Sequence, residues 1–303
     1  MAGLKNIKSK ISSVGKTRKV TRAMEAVSAV KMRKTQERAL TGRAYATAAI
    51  SILRSLSGSI DAANHPLMLK REGKTAFIVI TSDKGLAGSL NSNVLRAAEE
   101  KIKARGLAAK DIVLYCIGRR GADYFVNRGY DVRERHENVS DDVPVAELRA
   151  VTDAILRWHK TGEIGRCYIV YTNFLSTFEQ KPIVRRVIPL APKALQEIVE
   201  GIPPVKGKYS SGKIIDKASL YTIEPGPEEV FSVLLPDLIH IIVFHALLEA
   251  KASEHSARMV AMKNATDKAR DVGKTLTLKY NKARQAAITR EVSEITSGIE
   301  AMR

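Results

Sequence analysis

The chain has 303 residues, enough for one large domain or two ordinary ones, and its 45% apolar content excludes a wholly disordered protein. Aromatics make up only 5%, so a core must be built from Ala, Val, Ile, Leu and Met, which suits long packed helices better than a β-sandwich. Lys and Arg outnumber Asp and Glu by 50 to 32, and the resulting +18 calls for an acidic or anionic partner: nucleic acid, an acidic protein surface or anionic lipid.

The first segment is the most basic. Residues 1–54 carry thirteen Lys and Arg against Glu25 and Glu37 alone. Apolar residues recur at Leu4, Ile7, Ile11 and Val14, then at Val20, Met24, Val27 and Val30, and again at Ile50, Leu53, Leu56 and Ile60. The steps are mostly three and four, and no proline comes before Pro66. This pattern predicts one long helix over 1–60 with a narrow apolar stripe and a basic outer face.

Residues 74–190 read differently. Thr75–Ser82, Ile112–Gly118 and Cys167–Asn173 are short runs rich in β-branched residues, and helical patterns lie between and beyond at about 91–105, 119–128 and 145–161. Strands alternating with helices of this length predict a mostly parallel, three-layer α/β domain. Cys116 and Cys167 fall inside the apolar runs and read as buried strand thiols; two cysteines do not make a disulfide scaffold or a four-ligand zinc site. The turn TSDKGLAGSLN at 81–91 joins a strand to a helix, as phosphate-cradling turns do, but lacks both G-x-G-x-x-G and G-K-[ST]. It reads as a tight turn that caps the following helix.

Residues 191–228 hold five prolines and a KGKYSSGK tract and read as loop. The last segment, 229–303, runs without proline after Pro236. Its stripe is Met259, Met262, Ala269, Val272, Leu276, Tyr280, Ala283 and Ala287, then Ile288, Val292, Ile295 and Ile299, a coiled-coil rhythm sustained over many turns. A helix of about 55–65 residues is roughly 80–100 Å long, so the two terminal helices are expected to pair as a rod. The most apolar stretch, 238–248, is about half of the ~20 residues a bilayer span needs, and the N-terminus has no continuous apolar segment of the secretory kind. These features predict a soluble chain of a reducing compartment, at most peripheral to a membrane.

No catalytic motif stands out. The six histidines form no H-E-x-x-H, and His240 and His245, five apart, fall on different helix faces. The basic N-terminal helix fits a coiled-coil nucleic-acid binder by charge, but its basic residues surround the helix, and Tyr45 is the one aromatic there for stacking.

Several longer motifs carry a resemblance. IKSKISSVGKTRKVTRAMEAVSAVKMRKTQ (7–36), TSDKGLAGSLN (81–91), YTIEPGPEEV (221–230), EHSARMVAMKNATDKA (254–269) and YNKARQAAITREVSEITSG (280–298) resemble, in order, segments of the gamma subunit of F-type ATP synthase. Ala87 stands where that family often has Cys. The resemblance implies an α/β chain in which the N- and C-terminal helices form a long antiparallel coiled coil, with a Rossmann-like α/β domain inserted. It implies a non-catalytic rotor shaft that binds no cofactor, metal or nucleic acid. Its partners would be the alpha and beta subunits around the shaft, and the epsilon subunit and membrane c-ring at the foot. Its place would be peripheral on the cytoplasmic side of a bacterial inner membrane, or the mitochondrial or plastid equivalent. By position, Met24 matches a residue facing an acidic beta loop, and Arg33 and Lys34 a basic segment of the shaft. Arg284, Gln285, Thr289 and Glu294 match polar positions that contact the catalytic ring or tune coupling, while Tyr45, Tyr221 and Glu224 lie in segments resembling those of the foot.

Overall fold

The computed structural model describes residues 2–57, 65–143, 145–190 and 227–302. Five α-helices and five strands occur among them, with a single 3-10 turn at Ala109–Asp111: α1 (Ala2–Ser57), β1 (Lys74–Ile80), α2 (Leu90–Ala104), β2 (Ile112–Ile117), α3 (Arg119–Val126), β3 (Val132–His136), α4 (Val145–Lys160), β4 (Ile164–Phe174), β5 (Gln180–Ile188) and α5 (Pro227–Glu300). Two compact units divide them. One contains residues 29–257, and the other contains 1–28 with 258–303.

The larger unit is built on a sheet of order β3-β2-β1-β4-β5. The first four of these strands are parallel, and β5 returns antiparallel along β4. Both faces of the parallel strands are covered, which is why β1 and β2 are apolar at nearly every residue instead of alternating. On one face, Phe77, Val79, Leu114, Cys116 and Val170 meet Val94, Leu95, Ala98 and Ile102 of α2 and Phe125 of α3. On the other, Ile78, Val113, Tyr115, Ile169 and Tyr171 meet Val151, Ile155 and Trp158 of α4 and Leu238, Ile239, Ile242 and Val243 of α5. Cys116 and Cys167 are fully buried in β2 and β4, as expected.

Three corrections follow from this architecture. The strands β3 and β5 were not anticipated: VRERH and QKPIVRRVI are edge strands, with one neighbour each and much of their surface exposed, so they need no apolar run. The first turns of α5 are a layer of the α/β domain rather than part of a coil. An 18-residue window of α5 has a mean hydropathy of 1.8, long and apolar enough by composition to cross a bilayer, and thus longer than expected; 61% of it is buried within the protein. The 81–91 turn, finally, does not cap α2 through its N-cap side chain, because Ser89 makes no capping bond. Asn91 instead accepts a hydrogen bond from the Ser82 N–H (2.9 Å) and donates to the Ser82 hydroxyl (2.7 Å).

The same turn ties the carboxyl ends of three strands. The Asp83 carboxylate accepts the N–H groups of Arg119 and Asn138, each at 3.1 Å. Gly118, at φ 95°, passes so close to Thr81 that an added Cβ would lie 2.1 Å from its carbonyl oxygen. Only glycine fits there.

Candidate partner-binding surface of the paired helices

In the smaller unit, α1 and α5 lie side by side and antiparallel. Thr21 and Thr266 share a hydrogen bond of 2.7 Å between their hydroxyls, and a Cβ on Gly273 would touch Val14 at 3.9 Å. Both pairs have residue numbers that add to 287, which sets the register. Among the half-buried positions of α5, Thr266, Ala269, Gly273, Leu276, Tyr280, Ala283 and Ala287 follow alternating steps of three and four that define a heptad seam. Val272 was expected in this stripe, but Gly273 occupies the seam and Val272 is turned outward.

The α1 seam departs further from expectation. Leu4, Ile7, Ile11 and Val14 are half-buried as read, but Val20, Val27 and Val30 are 58%, 55% and 67% exposed. The covered face instead carries Thr21, Ser28, Met32 and Thr35, with Met24 half-buried between them. Val20 and Val27 precede Thr21 and Ser28 by one residue, about 100° of helix rotation, and a two-helix seam is too narrow to include both rows. Apolar character alone chose the wrong row. The basic residues Lys16, Lys19, Arg22, Lys31 and Arg33 share the exposed side with the valines.

The register also shows where intrachain pairing ends. Ala287 lies level with the start of α1, and every side chain from Ile288 to Ile299 is exposed. Ile288, Val292, Ile295 and Ile299 continue the three-and-four rhythm at 52–62% exposure. Thr289 and Glu294 sit on this last stretch, and Arg284 and Gln285 lie in the turn before it, on the outer side of the last seam positions; all four are exposed. The Thr289 hydroxyl donates to the Gln285 carbonyl at 3.0 Å, so toward any partner it can act only as an acceptor. Arg284 and Gln285 make no side-chain hydrogen bond or ion pair among the described residues, leaving their donors available.

Arg33 and Lys34 belong to the larger unit, where Arg33 is exposed and Lys34 pairs with Asp142 at 3.2 Å. They border a junction that sequence reading missed. The loop after β3 places Asp141 between Lys31 of α1 (2.7 Å) and the Nε2 of His255 of α5 (2.8 Å). Asp142 receives Arg38 at 2.7 Å, and Lys251 donates to the Val139 carbonyl at 2.9 Å. The hydrogen bond from His255, and then that from Lys31, hold the Asp141 carboxyl well below the usual range despite its partial burial. The signal available was the acidic pair in NVSDDV, set in a strongly basic chain. Tyr45 lies in α1, but its side chain, like all of Tyr221 and Glu224, is outside the described residues.

The two remaining histidines of α5 are held by near neighbours. Thr152 hydrogen-bonds the Nδ1 of His240, and His245 approaches Glu249 at 3.4 Å, so the two histidines do face different neighbours. Among the described residues no group of three or more His, Cys, Asp and Glu gathers as a metal ion would require.

A two-helix coil joined to a parallel α/β domain, with an unsatisfied apolar stripe at one end, defines a non-obligate-monomer architecture: a protein built to be gripped by others. Comparison with known proteins makes this specific. The family model for ATP synthase matches residues 3–302. The chain is 40% identical over 304 residues to the ATP synthase gamma chain of Methylobacillus flagellatus, and 36% identical over 303 residues to that of Heliobacterium modesticaldum, each alignment covering 100% of both chains. It therefore belongs to the ATP synthase gamma chain family. Among solved structures, the fold is similar to a chain of the mitochondrial ATP synthase of Euglena gracilis, in an assembly of OSCP, F1 and c-ring. The TM-score there is 0.64 at 18% identity, covering 99% of this chain and 95% of that one. A chain from the central stalk and c-ring of the Tetrahymena thermophila enzyme gives a TM-score of 0.56 at 22% identity, covering 81% and 99%.

Proposed function

We propose that this chain is the central rotor shaft of an F-type ATP synthase, coupling rotation of the membrane c-ring to ATP synthesis or hydrolysis at the beta subunits. The observation that carries the reading is the end of the coil. The seam stops at Ala287 while the apolar rhythm runs on, exposed, to Ile299, within a chain that aligns end to end with gamma chains. An apolar helix end left open to water calls for a socket, and a ring of alternating alpha and beta subunits supplies one. The exposed Val20, Val27 and Val30 with their basic neighbours add a surface for acidic loops of the same ring.

Coupling follows from asymmetry. The two helices differ in sequence and α5 runs on alone past Ala287, so each beta subunit meets a different surface at any instant. Only such differential contact shifts the three nucleotide sites to different affinities. The chain itself is read as non-catalytic and free of bound cofactor. The α/β domain would carry the contacts with the epsilon subunit and c-ring, holding the protein at the cytoplasmic face of a bacterial inner membrane or its organellar equivalent. The nucleic-acid reading draws no support from the family assignment, and the positive charge is accounted for by acidic protein partners.

The test is single-molecule rotation. Complexes reconstituted from this chain with alpha and beta subunits, fixed by the ring and carrying a probe on an exposed position of α3, should turn in one direction on ATP addition. Hydrolysis without rotation would refute the rotor role.

A further inference from the structure

The two shaft helices are seated in the α/β domain by different means. The early turns of α5 are a layer of its core, with Leu235, Leu238, Ile239, Ile242 and Val243 buried in one apolar cluster with the sheet. Among the described residues, no side chain of α1 belongs to either apolar cluster of the domain. Charge connects α1 to the domain instead. Lys31, Lys34 and Arg38, spaced by three and four, share one helix face, and their side chains are 39–60% exposed. All three meet the acidic pair of the loop 138–143. Lys31 binds Asp141 at 2.7 Å, while Asp142 takes Lys34 at 3.2 Å and Arg38 at 2.7 Å. From α5, Lys251 and His255, four apart on one face, bind the Val139 carbonyl at 2.9 Å and the Asp141 carboxylate at 2.8 Å.

The loop is itself fixed to the domain. Val139 and Val143 are buried in the same apolar cluster as α5, and Asp83 of the turn after β1 holds the Asn138 N–H at 3.1 Å. Asn138 and Val143 have φ of 58° and 43°, in the left-handed region. Asparagine enters that region readily. A β-branched residue there is an outlier that persists only where its surroundings over-determine it. Exposed ion pairs add little to stability one by one, so stability is a weak reason to bring four cations from two helices onto six residues. Mechanical constraint is a stronger one. The contacts come from both helices, so sliding or turning either one against the domain stretches several of them at once.

We propose that the loop 138–143 is a torque clamp, and that Asp141 and Asp142 are the positioning residues through which turning of the α/β domain reaches α1 as well as α5. The inference rests on the rotor reading above. Without the clamp, α1 would be turned only by its seam with α5. The test uses complexes of this chain with alpha and beta subunits, fixed by the ring and carrying a probe on an exposed position of α3. The angular spread of the probe is recorded in complexes paused without ATP. The variance of a thermally driven angle is inverse to the stiffness, so releasing one of the two helices should raise it about twofold. Two variants release α1: Asp141→Asn with Asp142→Asn, and Lys31→Gln with Lys34→Gln and Arg38→Gln, which changes surface side chains alone. Arg133→Gln, which breaks a pair with Glu163 involving neither shaft helix, should leave the spread unchanged. An unchanged spread in the triple variant would overturn the clamp, and so would an equal widening in Arg133→Gln. The paused measurement needs no turnover, so it decides on the clamp by itself, whereas hydrolysis without rotation would strike the rotor reading.

Discussion

Asp141 offers the sharpest test of how the two long helices are joined to the α/β domain. Asp141→Asn preserves size and removes the charge. The bond from Lys31 is a surface pair, with the lysine side chain 48% exposed, and is worth about 0.2–1 kcal/mol. The His255 bond matters more, because the histidine side chain is 5% exposed and its Nδ1 has no partner among the described residues. Weakening the remaining bond of a buried ring costs roughly 1.5–3 kcal/mol. The Asn carbonyl oxygen recovers part of this, which leaves a net loss of about 2 kcal/mol. For a unit spanning residues 29–257, that lowers the apparent Tm by about 4–8 °C. The sign of the pH dependence is also set. The folded carboxyl titrates below its unfolded value, chiefly through the His255 hydrogen bond, so its contribution is complete above the unfolded pKa of about 3.9 and is lost as pH falls toward the folded one. The gap in Tm between wild type and Asp141→Asn, read by circular dichroism, should be open at pH 7 and shrink in acid below pH 4. A gap under about 1 °C at neutral pH, or one that persists unchanged in acid, would show that the junction is held by something else.

Arg284 and Gln285 have no side-chain partner among the described residues, so replacing both by Leu should leave stability within about 0.5 kcal/mol of wild type while lowering the ATPase turnover of assembled complexes, with smaller losses for either change alone. Full turnover in the double variant would mean that torque passes through shape alone. Thr21→Val should cost about 1 kcal/mol, because it removes the cross-helix partner of Thr266; adding Thr266→Val should cost less than the sum of the single changes, a coupling that urea denaturation of the four chains would measure. Burial pushes the Cys116 thiol up to about 12 and that of Cys167 higher still, so neither should react with a thiol reagent at pH 8 until the chain is unfolded, whereupon both titrate. Reaction in the native state would place at least one thiol outside the core.

The parts legible in the sequence were those whose signal is local and repeated. The terminal helices announced themselves through many turns of three-and-four spacing without proline, and β1, β2 and β4 through apolar runs that only a strand buried on both faces needs. The cysteines followed from the same runs. The edge strands did not, because β3 and β5 each pair on one side and tolerate Arg133, Arg135, Lys181 and Pro182.

What only the tertiary structure decided was which of two adjacent rows each helix turns inward, and which distant residues meet. On α1 the more apolar row, Val20 and Val27, faces out, while Thr21 and Ser28 are covered, because the partner helix fixes one narrow seam and hydrophobicity does not say which. Asp141 and His255 are 114 residues apart, and nothing in either neighbourhood marks them as partners. The α/β insert brings them together. Periodicity is a property of a segment and can be read from it, whereas register and ion pairing depend on the whole path of the chain between the segments.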